Sequence, residues 1–506
     1  MNVNRRTLLR ATAAGGITAA GMGIGTNPAA AIELDCALSR EFFHGDGAFT
    51  TRDVTVESFD GTALAATLYV PDADGPHPAV LTTHGWGMSR EFLRCTAGMY
   101  ADNGYVVLAY DSRGYGGSGG EVGVNGPNEV ADVSALIDWL ADHDDVIADG
   151  DDPSLGMDGG SYGGGIQLLA ATRDDRIDAI VPRIAWNDFV TAITPNGAIK
   201  SGWLTLLVGF GSASSRFTGD IGESIDSNLQ DWYAEAMAEN AIPEAALEYF
   251  QERSPTRSLE SLETPTLVIS GWKDTLFPPS EAVANYREID DLGVESRLVI
   301  YGGGHNIDEL AVTDEQHEYM NRAALDWMDR HVRGAETDVV PPVSLWDDQA
   351  SRWRTFDDFP GTVERTVVGL EGLGGTTSTI RHRPFWNETA SYEIESDGFR
   401  LRGTPALSVS IEAHDAPLLC FASLHHAEDP FSTEQIDDQV TGFRLEEPGT
   451  HRLDLELEPL LREIPRGDAL ELRIEASDPF YLDEHGSATV HNDESTLTLP
   501  IADGSL

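Results

Sequence analysis

Gly159-Gly160-Ser161-Tyr162-Gly163 sets a serine among glycines. A strand-like run, 155–158, precedes it and a helix-period run, 162–173, follows, so the serine falls at a tight turn that lifts its hydroxyl off the end of a sheet. Such a hydroxyl is a useful nucleophile only when a base takes its proton, and the base needs a carboxylate to fix its tautomer and stabilise its cation. Two later loops supply those groups. The strand-like run 266–270 leads into Gly271-Trp272-Lys273-Asp274, and the run 297–300 leads into Tyr301-Gly302-Gly303-Gly304-His305. The chemistry this combination allows is acyl transfer, with Ser161 as nucleophile, His305 as base and Asp274 as the orienting acid. Charge developing on a carbonyl oxygen needs donors. The amide of Tyr162, just after the serine, and that of Trp86, in the turn Thr83-His84-Gly85-Trp86-Gly87, are placed to form that oxyanion site. A helix-capping serine in a glycine-rich turn is the alternative for the pentapeptide taken alone.

Other titratable residues fit these roles less well. Asp188 and Asp308 are the alternative acids, but neither follows the right strand. His84 reads as a residue that holds its turn, and Asp111-Ser112-Arg113-Gly114-Tyr115-Gly116 as structural support for the site floor. His143, His317, His331, His425 and His426 read as surface or packing residues. The acidic stretch 142–152 lacks the alternate-position ligands of a calcium loop and reads as a solvated loop. No cofactor or metal is called for.

Bringing the three loops together takes a sheet whose strand ends share one edge. Between residues 51 and 333 short β-rich runs alternate with helix-period runs, the pattern of a mostly parallel sheet covered by helices. The chain order Ser, Asp, His, with the last two after late strands, is that of an α/β-hydrolase. From 186 to about 258 strand candidates give way to amphipathic helical runs, a cap over the sheet. Beyond Val339-Val340-Pro341-Pro342, which reads as a linker, short alternating runs separated by Gly, Pro and Asp suggest an all-β jelly-roll sandwich. The expected organisation is an export signal over 1–31, a catalytic domain over 32–338 and the sandwich over 339–506.

The 506 residues carry 85 Asp+Glu against 33 Lys+Arg, a formal net charge of −52. With 41% hydrophobic residues and 10 tryptophans the chain has enough apolar material for sizeable cores, so this acidity does not signal disorder. It does exclude nucleic acid and anionic membrane surfaces as partners, because no Lys/Arg cluster lies outside the first ten residues. Only Lys200 and Lys273 are lysines, and the acids are spread through every segment. That pattern reads as adaptation to high salt, where the Debye length falls to about 3 Å and self-repulsion is screened.

Asn4-Arg5-Arg6-Thr7-Leu8-Leu9-Arg10, a weakly apolar Gly/Ala stretch and Ala29-Ala30-Ala31 resemble a twin-arginine export signal, which is an address and not a membrane anchor. Cys36, Cys95 and Cys420 are an odd set without framework spacing, so any disulfide is incidental. The expected partner is a small-molecule or short peptide substrate, and the sequence is silent on oligomeric state.

The Gly-x-Ser-Tyr turn, Asp111-x-Arg-Gly-x-Gly, Arg253-Ser254-Pro255 and Gly271-Trp272-x-Asp274 with Phe277-Pro278 together resemble the X-Pro dipeptidyl-peptidase and cocaine-esterase hydrolases. Arg402-Gly403-Thr404-Pro405 and Ser477-Asp478-Pro479-Phe480 are similar to that family's carboxy-terminal jelly-roll, so the resemblance spans nearly the whole chain after the export signal. It implies a serine hydrolase working through an acyl-enzyme on X-Pro peptides, esters or related acyl compounds, with Ser161, Asp274, His305 and the Tyr162 amide in the family's positions. Known members use a tyrosine hydroxyl as second oxyanion donor where this chain has Gly85-Trp86-Gly87, so a backbone amide takes that role here. A carboxylesterase without peptidase activity and a non-catalytic binding protein on a hydrolase scaffold are the competing readings.

Overall fold

The computed structural model describes residues 48–217, 227–305, 312–383, 386–429, 432–482 and 484–504. The export stretch, Cys36 and Asp308 lie outside the described residues.

The catalytic half is a ten-stranded sheet. In chain order its strands are β1 (Phe49–Glu57), β2 (Ala63–Pro71), β3 (Ala79–Thr83), β4 (Val106–Tyr110), β5 (Leu155–Gly160), β6 (Ala179–Arg183), β7 (Thr266–Gly271), β8 (Ser296–Tyr301), β9 (Val343–Asp347) and β10 (Arg352–Phe356). In space they run β1-β2-β4-β3-β5-β6-β7-β8-β9-β10. The strands from β4 to β9 pair in parallel, and β1, β2 and β10 are antiparallel to their neighbours. The central strands are short apolar runs because helices cover both faces. Val106–Tyr110 and Ala79–Thr83, for instance, are buried at every position. Strand order reverses around β3, which lies between β4 and β5 although β4 follows it in sequence. The crevice beyond the carboxyl ends of β3 and β5 is therefore the place where this topology binds ligands.

The helices packed on the sheet are α1 (Arg94–Asp102), α2 (Pro127–Ala141), α3 (Tyr162–Ala171), α8 (Pro279–Asp291) and α9 (Asp314–His331), the third close to the run expected over 162–173. Between them α4 (Phe189–Ile193), α5 (Ser201–Phe217), α6 (Ser227–Glu239) and α7 (Glu244–Gln251) form the expected helical cap. Among the described residues no helix is long and apolar enough to cross a membrane.

The catalytic sheet does not end at the Pro-Pro linker as the sequence suggests. Fully buried β9 pairs in parallel with β8, and β10 returns antiparallel to it. Without them β8 would leave an unpaired edge, and these two strands cover it. The all-β half starts at Glu364–Gly369 and consists of a nine-stranded and a five-stranded antiparallel sheet over one core. Strict alternation, as in Ala390–Glu395 where every second residue is buried, turns one face inward. Cys420 is a buried free thiol in that core, and Cys95 on α1 is disulfide-bonded.

Candidate active site

Ser161 sits between β5 and α3 with φ +56° and ψ −115°, a conformation that costs a non-glycine residue energy and is held by its surroundings. Its amide donates to the Arg183 carbonyl at the end of β6 (2.9 Å). Gly163 lets α3 start directly against β3, since a side chain there would collide with the Thr83 carbonyl. Beneath the turn, buried Asp158 on β5 accepts from Arg183 Nε (2.7 Å) and from the Tyr100 hydroxyl (2.7 Å).

Asp274 and His305 reach the same point from β7 and β8. His305 Nε2 lies 3.0 Å from Ser161 Oγ, and Nδ1 lies 2.8 Å from Asp274 Oδ2. All three residues are buried. Asp274 Oδ1 accepts from the Leu276 and Phe277 amides, both at 2.9 Å, which fixes the carboxylate's rotation. Oδ2 can only accept from the imidazole, so Nδ1 carries the proton and the Nε2 lone pair faces the serine hydroxyl. Gly271 allows the two loops to approach, because a side chain there would meet the Gly303 carbonyl. The rings of Phe277 (5.3 Å) and Trp203 (5.8 Å) present near-perpendicular faces to His305 and shield it from water.

The Tyr162 amide belongs to the first residue of α3, where helical backbone N–H groups have no partner within the helix. Gly85, one residue before Trp86, comes close to Ser161, its virtual Cβ lying 3.8 Å from the serine Cβ. The Trp86 indole donates to the Leu207 carbonyl of α5 (2.8 Å), so it is committed to the cap and the backbone amide is the group left for an oxyanion. Trp86→Phe should therefore lower kcat less than about tenfold, whereas loss of a true oxyanion donor costs about 10²–10³-fold. A kcat loss in that larger range with folding intact would assign the donor to the indole.

The Tyr162 side chain is itself locked in place. Its hydroxyl donates to Glu129 (3.0 Å) and accepts from the Asn125 amide (3.0 Å), and burial pushes its pKa well above the ordinary value. Burial also raises the Glu129 carboxyl, opposed by its bonds to the Gly123 amide and Tyr162. His84 holds its turn, contacting the Gly85 carbonyl (2.8 Å) and accepting from the Ser112 amide (3.2 Å). Asp111 accepts from the Arg90 amide (2.6 Å) and the Gly117 amide (2.7 Å), and so braces the segment after the Trp86 turn. Asp188 caps α4 and takes no part in the cluster. His425 and His426 lie in the sandwich, bonded to Ser423 and Asp468.

Over Ser161 lies a cavity of about 110 Å³ roofed by α5, α6 and α7. Trp186, Trp232 and Phe277 line it, and Trp186 and Phe277 are also buried in the aromatic cluster beneath the cap. Trp203 instead lines a wider cleft of about 1700 Å³ between cap, sheet and sandwich. Arg253 ties the cap down: its Nε donates to the Gly123 carbonyl (2.6 Å), its guanidinium stacks 3.3 Å from the Tyr249 ring centroid, and its carbonyl accepts from the Trp186 indole (2.8 Å).

Comparison with known proteins places the chain among hydrolases. The sequence profile of the X-Pro dipeptidyl-peptidase (S15 family) matches residues 60–306. Cocaine esterase of Rhodococcus sp. (strain MB1 Bresler) is 29% identical over 356 residues, spanning 61% of this chain and 60% of that protein. A CocE/NonD family hydrolase from Staphylococcus aureus superposes with a TM-score of 0.71 at 16% identity, over 90% of this chain and 94% of the other. An α-amino-acid ester hydrolase superposes with a TM-score of 0.66 at 14% identity, over 90% and 97% of the two chains.

Proposed function

We propose that this chain, a serine hydrolase whose residues 60–306 match the X-Pro dipeptidyl-peptidase (S15) family, uses Ser161, His305 and Asp274 as its catalytic triad and hydrolyses carboxylic esters with compact, uncharged acyl groups. Ser161 Oγ attacks the ester carbonyl while His305 Nε2 takes its proton. The tetrahedral oxyanion is met by the amides of Trp86 and Tyr162. Collapse breaks the bond to the alcohol, which leaves with the proton from His305, and water then releases the acid by the same steps.

The observation that carries the ester reading is the wall of the cavity at Ser161. Its described lining, including Trp86, Val124, Leu207, Trp232, Ala246 and Phe277, contains no charged side chain in a chain with 85 carboxylates. A dipeptidyl-peptidase must hold a free ammonium group, and a desolvated ammonium without a carboxylate is costly. The name of the cocaine-esterase relative supports the same reading. The family description favours the second one, cleavage of X-Pro peptides.

A single comparison tests both. Nitrophenyl acetate and butyrate are expected to exceed Ala-Pro anilide in kcat/KM by at least about 100-fold, with Ser161→Ala as the blank in molar salt. Equal or better turnover of the anilide would transfer the assignment to a peptidase, and turnover surviving Ser161→Ala would remove the nucleophile. Failure of the parent protein to react with a fluorophosphonate would favour a binding role on a hydrolase scaffold. The same proposal includes export by the twin-arginine route and operation at high salt, supported by Arg5-Arg6 with its flanks and by the −52 charge.

A further inference from the structure

We propose that Gln439, in the β-sandwich, is a positioning residue for the catalytic acid, so that the carboxy-terminal domain completes the active site. The inference rests on the reading of Asp274 as the triad acid. Gln439 follows a short turn, Ile436–Asp438, and is buried. Its Nε2 donates to the Trp272 carbonyl and to the Asp274 carbonyl, each at 2.8 Å, using both N–H groups of one amide. These two carbonyls flank Lys273 in the loop that carries the acid. The Gln439 carbonyl accepts from Gln435 Nε2 (2.8 Å), which keeps the clamp attached to its own domain.

The rest of that loop is held from the catalytic half. The Trp272 and Lys273 amides donate to the carbonyls of Tyr301 (2.9 Å) and Gly303 (2.8 Å), and Lys200 Nζ donates to the Leu276 carbonyl (3.0 Å). Lys273 pairs with Asp348 at 2.6 Å. Both lysines of the chain are thus spent on this one loop. Because Oδ1 of Asp274 is tied to amides of the same loop, the carboxylate travels with the loop backbone. The Gln439 clamp acts on the two carbonyls at and just before the acid, and it comes from a domain that contributes no group to the triad. Neighbouring contacts seat that domain: the Gly202 amide donates to the Phe480 carbonyl (2.8 Å), Asn196 Nδ2 donates to the Gly442 carbonyl (3.1 Å), and the Trp203 and Phe480 rings lie parallel at 6.4 Å.

Gln439→Met keeps the length of the side chain and removes both donors, leaving two buried carbonyls free to drag the loop. A displacement of about 1 Å at a catalytic group can cost about 10²-fold in rate, so kcat for nitrophenyl butyrate is expected to fall roughly 10–100-fold while KM moves less than about threefold. Gln439→Asn, which retains the donors on a shorter arm, should recover much of the loss. The decisive measurement places Gln439→Met in an Asp274→Asn background, using the full chain in molar salt and both ester turnover and the rate of fluorophosphonate labelling. If Gln439 acts through Asp274, the second substitution adds no further loss. Parent-like kcat in Gln439→Met, or an equal loss with and without Asp274, overturns the proposal while leaving the triad intact. Parent-like kcat in Asp274→Asn overturns the triad reading first and this proposal with it. Thermal unfolding shows whether each variant is folded. Should Gln439→Met not fold, Gln439→Glu, similar in shape and without donors when ionised, takes its place with the same expected losses.

Discussion

Asp274→Asn is expected to lower kcat by about 10⁴-fold with little change in KM or fold, read from ester hydrolysis in molar salt. The reason lies in how the two carboxylate oxygens are used. Oδ1 accepts from the Leu276 and Phe277 amides, a pair of donors that only an oxygen can satisfy. An asparagine must therefore place its carbonyl oxygen there and turn its NH₂ toward His305 Nδ1, where Oδ2 stood at 2.8 Å. An NH₂ in that position donates, so the imidazole adopts the other tautomer, with the Nδ1 lone pair facing the amide and the proton on Nε2. That proton then points at Ser161 Oγ, and the base cannot take the serine's proton. The reversed asparagine rotamer would aim NH₂ at two amide N–H groups and is excluded by the same local geometry. Size and packing are conserved, so the effect separates chemistry from folding. A loss of less than about tenfold would mean that the acid is not Asp274.

The residues that meet at the site were legible because each follows a strand directly. Ser161, Asp274, His305 and Trp86 all sit within a few residues of a buried run, and a parallel sheet gathers the carboxyl ends of such runs at one edge without further information. Glycines marked the same turns, since close approach of α3 to β3 and of the two late loops to each other tolerates no side chain at Gly163 or Gly271. What could not be read depends on distant packing. Val343–Asp347 is five residues just past a Pro-Pro pair, and nothing local says that β8 needs a partner on that edge. Gln439 lies 165 residues from Asp274 in a glutamine-bearing turn with no motif around it. The bond from the Trp86 indole to the Leu207 carbonyl also spans 121 residues, and nothing in the turn sequence announces that this ring is tied to the cap. Trp186 and Phe277 are core on one side and cavity wall on the other, so burial and function place the same demand on them.

Taking the protein from molar to millimolar salt is expected to remove both fold and activity, with a fall in Tm of at least roughly 10 °C before the transition is lost altogether. With 33 cations for 85 acids, most carboxylates have no ion-pair partner to find, and the folded state holds a net −52 in a small volume. At 1 M salt the Debye length is about 3 Å and each charge is felt only by its neighbours; at 0.01 M it is about 30 Å and repulsion sums across the whole domain. The buried pairs do not set this response. Arg113–Asp132 and Arg183–Asp158, each with a buried carboxylate, are screened much less than exposed charges and keep most of their attraction as salt changes. The expected loss therefore comes from exposed acids, and it carries a sign that can be checked separately. At fixed low salt, lowering the pH from 8 toward about 5 protonates histidines and begins to neutralise carboxylates, which relieves repulsion and should restore part of the Tm. If salt acted only by strengthening apolar burial, that pH change would do little and sulfate would far outperform chloride at equal ionic strength. Thermal unfolding and ester turnover followed together across chloride concentration, sulfate and pH distinguish these cases, and a Tm unchanged between molar and millimolar chloride would end the salt-adapted reading of the composition.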